Sequence, residues 1–584
     1  MNRTDDVSVL IGGEAGAGIS AAGISLGKVF MRGGLHVFGT VDYPSLIRGG
    51  HNFYMIRASK NPVYTQWDTH DLIVALDVNT IQRHLKALKS DGGIIYDSDE
   101  INAKISDLPK KVENLFPIPL TNIVKEVQGR DVVRNTIAVG ATLGILGFNI
   151  EILENILQES FEQKGDKVVS MNVKAARAGY DYAVTHYANK LAHQLAPTKK
   201  IQKDRIFLNG NEATALGAIA AGCQFYAAYP MTPASGLLHF LIAQAEKFNM
   251  ITIQAESEIA AINMAIGASY AGVRAMTGTS GGGFCLMTEA LSMAAMTETP
   301  LVIMLAQRTG PSTGLPTYTA QSDLRFAIHA AHGEFPRVVI APGDVNECFK
   351  FTIDAFNLAD EFQIPVILLT DKQLVESSAS ISPFTAEGVE INRGKLLPMT
   401  PYSGKEPYSR HKLTNDGISP RLIPGTPGAL IHSDSAVHKE SGFQGDDCAI
   451  ATKMADKRYQ KLPALFKTLK TKPLIKMYGP KKTDVTLVGW GSTKGVALEV
   501  LRLLEAENIK ANFLQVIYLT PFPAEEINAA LERKNLVLIE GNQTGQLGSL
   551  IKEHTGIEIP QRIFRYDGRA FNPLQLTRRI KEEL

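Results

Sequence analysis

Apolar residues along this chain follow two habits: short β-rich runs that stop at glycine or proline, and longer stretches where they recur every three or four positions. The first pair opens the chain. Val7 to Ile11 is a β-rich run, GGEAGAG (12–18) is a glycine turn, and AAGISLGKVFMRGG (21–34) has helical spacing, which predicts strand, turn and helix. LHVFGTVDYP, FYMIRAS, DLIVALD and GGIIYDSD continue as short strands, predicting a first domain over 1–191. The charged, proline-containing segment 192–205 predicts a linker. A second domain, 206–378, carries the strands QFYAAYP, MITIQAE, AMTGTS, TPLVIMLAQ, RVVIAPG and PVILLTD. Residues 379–479, rich in Pro, Ser, Gly and charge, predict an irregular excursion with helical pieces. DVTLVGWG, KANFLQVIYL and NLVLIEGN mark a third domain, 480–584. Strands alternating with helices predict an α/β fold of three domains with parallel sheets.

Length supports several domains, since 584 residues exceed what one core serves. Lys plus Arg number 60 and Asp plus Glu 59, so no basic excess marks the chain for nucleic acid or an anionic membrane. The start carries Asp5 and Asp6 where a secretory signal would be positive, and no run reaches eighteen apolar residues. Four widely spaced cysteines (Cys223, Cys285, Cys348, Cys448) without a CxxC fit a reducing compartment, and by spacing they make no iron–sulfur or zinc site. The expectation is a cytoplasmic protein.

The chemistry concentrates between residues 211 and 317. MTPASGLLHFL (231–241) turns into a helix, so Thr232 and Ser235 stand where hydroxyls and free amides meet, a place for an anion or for a plain helix cap. Glu256 and Glu258 close a strand before a helix of small residues; such a carboxylate is either a dipole partner or a buried acid serving a ligand. TGTSGGG (277–283) is a glycine turn after a further strand. Arg308 follows the apolar strand LVIMLAQ, with Thr317 nine residues on across a Gly/Pro loop; an arginine there either grips a carboxylate or sits in a surface ion pair. His329, His332 and Glu334 lie close in IHAAHGE, but nothing supplies further ligands, and a helix end is the reading; no metal is expected in this chain.

Together these segments resemble the 2-oxoacid:ferredoxin oxidoreductases. YPMTPAS (229–235) and AQRTGPSTGLPT (306–317) resemble two hallmarks of their α subunit, and Glu258, Ala261, Ala265 and Gly267 match the Glu-x-x-Ala-x-x-x-Ala-x-Gly pattern of thiamine pyrimidine-binding domains. GGEAGAGISAAGISL and YPSLIRGGHN resemble the γ domain, and TLVGWGSTKGVALEVL and IEGNQTGQLGSLI a transketolase-C-like domain, so the order is γ then α, fused. Met231 and Ala234 depart from the usual Ile and Ser. The GDG…Asn motif for magnesium and diphosphate is absent from the sequence.

The resemblance implies a thiamine-diphosphate enzyme that decarboxylates a 2-oxoacid oxidatively, 2-oxoglutarate being favoured, to acyl-coenzyme A and CO2 with reduction of ferredoxin. Glu258 would meet a pyrimidine nitrogen, with Tyr229, Pro230, Thr279 and Ser280 beside the cofactor. Thr232 and Arg308, helped by Thr317, would hold the substrate carboxylate. Arg48, Gly49 and Gly50 would lie near coenzyme A. A β subunit would bring Mg2+, the diphosphate site and a 4Fe–4S cluster, giving a heterodimer or a dimer of heterodimers. Two other readings are a non-catalytic scaffold with a degenerate pyrimidine fold and a thiamine decarboxylase without electron transfer.

Overall fold

The computed structural model describes residues 3–46, 49–105, 112–191, 194–195, 204–531 and 535–584. The chain forms two units. One runs through Leu208 and includes Ser377–Phe384; the other is Asn209–Glu376 with Thr385–Leu584.

The first unit is built on an eight-stranded sheet. In chain order its strands are β1 (Asp6–Glu14), β2 (His36–Asp42), β3 (His51–Ser59), β4 (His70–Ala75), β5 (Leu88–Asp97), β6 (Asn114–Ile118) and β7 (Ile206–Asn209), with Ser378–Ile381 as the eighth. They lie in the order β6-β5-β4-β1-β3-β2-(378–381)-β7. The half from β1 to β6 is parallel, while β1, β3 and β2 pair antiparallel. The reason is connection length: the few residues between β2 and β3 cannot carry the crossover that parallel pairing needs. Helix α1 (Ile19–Arg32) covers one face with Leu26, Val29 and Phe30 fully buried. Helices α2 (Arg134–Leu146) and α3 (Asp166–Tyr187) approach so closely that a Cβ on Gly140 would sit 2.0 Å from the Ala176 carbonyl, and one on Gly179 2.2 Å from that of Ile137.

The second unit holds two sheets. The larger contains β8 (Cys223–Ala228), β9 (Ile251–Gln254), β10 (Arg274–Thr279), β11 (Leu301–Gln307), β12 (Val338–Ile340) and β13 (Pro365–Asp371). The smaller contains β14 (Ile475–Tyr478), β15 (Val485–Trp490), β16 (Ala511–Val516), β18 (Leu536–Glu540) and β19 (Gln561–Phe564). A short strand, β17 (Tyr518–Thr520), leaves the smaller sheet's segment and joins the larger, whose order is β9-β8-β10-β11-β13-β12-β17. All pairs in the larger sheet are parallel except β12–β17. Ile262, Leu291 and Leu305 of the larger sheet's layer share one apolar cluster with Val488, Trp490 and Leu514 of the smaller.

Local chemistry explains the helices. Helix α4 (Gly210–Ala220) starts at a capping box of Asn209 and Glu212, and α9 (Val345–Phe362) at Asp344, which accepts from the Glu347 amide. The site helices are α5 (Ser235–Gln244), α6 (Glu258–Tyr270), α7 (Gly281–Met296) and α8 (Leu324–His329). Residues 385–447 contain no helix or regular strand, and α10 (Cys448–Tyr459) and α11 (Leu462–Leu469) follow. Buried charges tie this excursion down. Glu298, 2% exposed, receives Lys457 Nζ at 2.5 Å, Lys461 Nζ at 2.5 Å and His411 Nδ1 at 3.2 Å. Asp360 receives Arg274, Arg393 and Arg421 within 2.9 Å.

Candidate active site

Parallel strands deliver their carboxyl ends to one edge, and the larger sheet places its chemistry there. Tyr229 to Thr232 follow β8, Glu258 follows β9 after a three-residue turn, Ser280 follows β10, and Arg308 follows β11.

Of the two glutamates after β9, Glu256 is exposed and Glu258 is buried at 3%. Ser257 sets this register: it is the N-cap of α6, accepting from the Ala260 amide, which makes Glu258 the first helical residue. Glu258 Oε1 is buried with no hydrogen-bond partner among the described residues. Leaving a buried carboxylate oxygen unpaired costs about 1–3 kcal/mol or more, so a ligand donor is the natural complement. Across from it, a Cβ on Gly283 would lie 2.5 Å from Glu258 Oε1 and 2.1 Å from Thr279 Oγ1. Only glycine leaves that corner of the first turn of α7 open. Thr279 Oγ1 in turn lies 4.0 Å from the Met231 sulfur. Ser280, the N-cap of α7, makes no capping bond, and its fully buried hydroxyl has no partner among the described residues.

Helix α5 settles the plain-cap alternative for Thr232 and Ser235. Its N-cap is Ala234, with no side-chain cap, so neither hydroxyl plays that part. Thr232 instead offers its backbone: Arg308 Nη1 donates to the Thr232 carbonyl at 2.8 Å. Arg308 is half-buried. Burial depresses its proton affinity below the ordinary arginine value and the nearby Glu258 charge raises it again, so the guanidinium and Glu258 share one neighbourhood. The surface ion-pair alternative is not realised, since no salt bridge holds Arg308 among the described residues. Thr317 is 2% exposed, and its Oγ1 is buried without a partner among the described residues. Its loop folds back so that the Thr309 amide donates to the Tyr318 carbonyl at 3.0 Å. Tyr229 is 40% exposed and Pro230 partly so.

Gly49 and Gly50 both take positive φ, and the Ala15 amide donates to the Gly50 carbonyl at 3.3 Å, joining the two glycine loops of the first unit. Arg48 lies outside the described residues. His329 ends α8, and His332 Nε2 lies 3.3 Å from Ser292 Oγ; among the described residues no group of three or more His, Cys, Asp or Glu side chains is arranged for a metal ion. All four cysteines are free, and among the described residues no helix is long and apolar enough to cross a membrane.

Two positions escaped the sequence reading. Gln307, the last residue of β11, is wholly buried; its Nε2 donates to the Thr370 carbonyl at 3.0 Å and its Oε1 accepts from the Asp323 amide at 2.9 Å. The polar residue ending an otherwise apolar strand was the signal. Gln321 fixes the same loop to the smaller sheet: its Nε2 donates to the Trp490 carbonyl at 2.9 Å, and its Oε1 accepts from the Gly541 amide at 2.9 Å.

Comparison with known proteins places this geometry. Residues 216–457 match the family pyruvate flavodoxin/ferredoxin oxidoreductase, thiamine diphosphate-binding; residues 8–182 match pyruvate ferredoxin/flavodoxin oxidoreductase; residues 477–560 match transketolase, C-terminal domain. A 2-oxoacid:ferredoxin oxidoreductase subunit alpha from Sulfolobus sp is 33% identical, covering 97% of this chain and 95% of that protein. The chain belongs to the 2-oxoacid:ferredoxin oxidoreductase family. It is the fused γ–α subunit of such an oxidoreductase and carries the thiamine diphosphate-binding domain. Within the family, the 2-oxoglutarate oxidoreductase subunit KorA of Mycobacterium tuberculosis is 28% identical over 100% of this chain and 92% of its own length. A solved structure of 2-oxoglutarate:ferredoxin oxidoreductase from Magnetococcus marinus, with 2-oxoglutarate, coenzyme A and succinyl-CoA bound, superposes with a TM-score of 0.87 at 34% identity, covering both chains fully.

Proposed function

We propose that this subunit supplies the pyrimidine half-site and the carboxylate clamp of an enzyme that oxidatively decarboxylates a 2-oxoacid, 2-oxoglutarate in preference, to acyl-coenzyme A with reduction of ferredoxin. The observation that carries the reading is Glu258 Oε1, buried and without a partner among the described residues, facing a corner of α7 that only glycine leaves open. Thiamine diphosphate, when bound, supplies the carbon nucleophile that adds to the oxoacid carbonyl. Glu258 has the placement to exchange a proton with the pyrimidine ring nitrogen, with Thr279, Ser280, Tyr229 and Pro230 around the ring. The free donors of Arg308, with the Thr232 and Thr317 hydroxyls, are suited to a carboxylate, because a guanidinium fork matches its two oxygens. Held in line, reactants need no further search, which is where much of a protein's contribution to cofactor chemistry lies.

The remaining parts belong to a partner β subunit: Mg2+, the diphosphate site and the 4Fe–4S cluster. What supports this reading is the absent GDG…Asn motif and the wide spacing of the four cysteines, two of which are buried. Gly49 and Gly50 are the described candidates for contact with coenzyme A. Preference for 2-oxoglutarate is supported by what the Magnetococcus structure holds and by the name of the mycobacterial relative. The test is to co-purify the chain with its partner and assay a panel of 2-oxoacids against a viologen dye. Turnover fastest with 2-oxoglutarate, and none by the isolated chain, is expected; robust turnover by the chain alone overturns the division of labour.

A further inference from the structure

Arg308 stands at the entry of one loop and Thr317 near its exit, and their chain neighbours set the spacing between them. The Thr309 amide donates to the Tyr318 carbonyl at 3.0 Å, and the Thr309 hydroxyl donates to the Thr319 carbonyl at 3.1 Å. Within the loop, the Leu315 amide donates to the Thr309 carbonyl at 3.0 Å. The exit is fixed to the larger sheet, where the Thr319 hydroxyl donates to Asp371 Oδ1 at 3.3 Å. Between the two ends, residues 310–315 are exposed.

The support under this loop comes from the smaller sheet. After β19 the chain turns, and Asp567 Oδ1 accepts from Arg565 Nε at 3.1 Å and from the Arg569 amide at 3.0 Å. Gly568 is buried with a φ of 81°. A Cβ there would lie 3.0 Å from Tyr318 Cβ, 3.2 Å from Leu315 Cδ1 and 3.3 Å from Thr309 Oγ1. Glycine thus serves both the backbone conformation and the close approach. The Gly568 carbonyl accepts from the Thr319 amide at 3.2 Å. Next to it, the Arg569 guanidinium carbon stands 3.9 Å from the centre of the Tyr318 ring, within the range of a cation–π contact. The ring so covered belongs to the residue after Thr317, whose hydroxyl is buried and has no partner among the described residues.

We infer that the turn 567–569 latches the substrate loop, and that Arg569, acting through Tyr318, is a positioning residue for the carboxylate clamp. The inference rests on the role proposed above for Arg308 and Thr317. Each clamp residue immediately precedes one member of the bonded pair Thr309 and Tyr318, so whatever steadies that pair steadies the gap between them. Arg569 presses on the side of Tyr318, and Gly568 receives the loop's backbone at Thr319. A loop that is closed only part of the time binds its ligand more weakly, in proportion to the closed fraction. Uncovering Tyr318 therefore weakens oxoacid binding by no more than the contact is worth. At saturation the bound substrate holds the clamp shut, and turnover stays as it was.

The test is steady-state kinetics of the reconstituted α–β complex with 2-oxoglutarate, alongside its affinity for thiamine diphosphate. Arg569→Ala should raise the Michaelis constant about two- to fivefold, the scale of one exposed cation–π contact. Turnover number and cofactor affinity should not change. Arg569→Lys keeps a cation near the ring and should recover part of the loss. Tyr318→Leu should repeat the effect, whereas Tyr318→Phe, which keeps the ring, should not. Combining Arg569→Ala with Tyr318→Leu should add nothing beyond the larger single effect, because both break one contact. If either Arg569→Ala or Tyr318→Leu leaves the Michaelis constant unchanged, the latch is overturned. A joint fall in turnover number, cofactor affinity and substrate affinity also overturns it, since that marks a general structural role. If Arg308→Lys raises the Michaelis constant while those two variants do not, the clamp stands and only the latch is rejected. If Arg308→Lys leaves it unchanged, the clamp itself falls and the latch with it.

Discussion

Arg308 is tied to the backbone of residue 232 and not to its side chain: Nη1 donates to the Thr232 carbonyl at 2.8 Å. One guanidinium nitrogen is thus spent on orientation, and among the described residues no hydrogen bond takes up the other donors. The same bond means that a side-chain change at 232 leaves the arginine anchored.

Replacing Arg308 by Lys therefore removes both the anchor and the planar fork. The expected outcome is a Michaelis constant for the 2-oxoacid raised about ten- to a hundredfold, matching a charged hydrogen bond of about 1.5–3 kcal/mol, with cofactor content unchanged. Thr232→Val deletes one neutral hydroxyl and should raise it less than about tenfold. In steady-state kinetics of the double variant the two effects should couple if, as proposed, both groups hold one carboxylate. Strict additivity would move Arg308 out of the substrate site.

Glu258→Gln should leave the complex assembled and lower turnover by at least about a hundredfold, the lower range for loss of an acid–base group. Glu256→Gln, at an exposed position, should change turnover by less than about twofold, as surface substitutions usually do. Parallel assays of the two variants decide it; a reversed ranking rejects the site.

Gly283→Ala adds one methyl where Glu258 Oε1 and Thr279 Oγ1 lie within 2.5 Å of its place. Thermal unfolding should shift little, because the neighbours are side chains that can turn. Cofactor affinity should fall about tenfold or more, the scale of a 1–3 kcal/mol overpacking cost. Unchanged affinity with an intact fold would show that this corner is not used.

Acid should loosen the excursion through His411. Burial holds its imidazole at about 3, below the usual histidine value, although Glu298 pulls the other way. Between that value and about 6.5 the unfolded chain binds more protons than the folded one, so stability falls as pH drops through this window. Glu298 itself is held well below the usual carboxylate range: desolvation opposes this, but Lys461 and Lys457 prevail, so it stays charged there. His411→Asn should therefore lower the melting temperature at pH 7 yet lose less between pH 7 and 5. His70 in the first unit, also held at about 3 by burial, carries the same sign, so the dependence should shrink without vanishing. Glu298→Ala, which strands two buried ammonium groups, should cost about 3–5 kcal/mol in chemical unfolding.

Much of this was legible along the chain, because local pattern encodes local structure. Glu258, not Glu256, stood in register with Ala261, Ala265 and Gly267; the Ser257 cap that fixes this register appeared only in the fold. Arg308 was visible as a charge ending an apolar strand. What stayed hidden is long-range. Nothing near Ser378–Ile381 announces that it returns to the first unit's sheet, 343 residues from Val37, whose amide donates to Ser380 at 2.8 Å. Residues 379–479 read as an irregular, charged excursion, and only the fold sets Asp360 and Glu298, both upstream of it, against its arginines and lysines.

Strand β17 makes the last hundred residues something other than an interchangeable module. Tyr518 to Thr520 cover the outer edge of β12, and Ala341 donates to the Ile517 carbonyl at 2.8 Å. Severed before residue 475, the upstream piece would present an unpaired β12 edge beside stripped apolar surface, an invitation to self-association. Swapping in the tail of a related protein would likewise demand that the graft match an edge register and the seat of Gln321. Recombination in this family is therefore constrained at the seam as well as at the cofactor, and breakpoints that look permissive on a linear map cut through a shared interior.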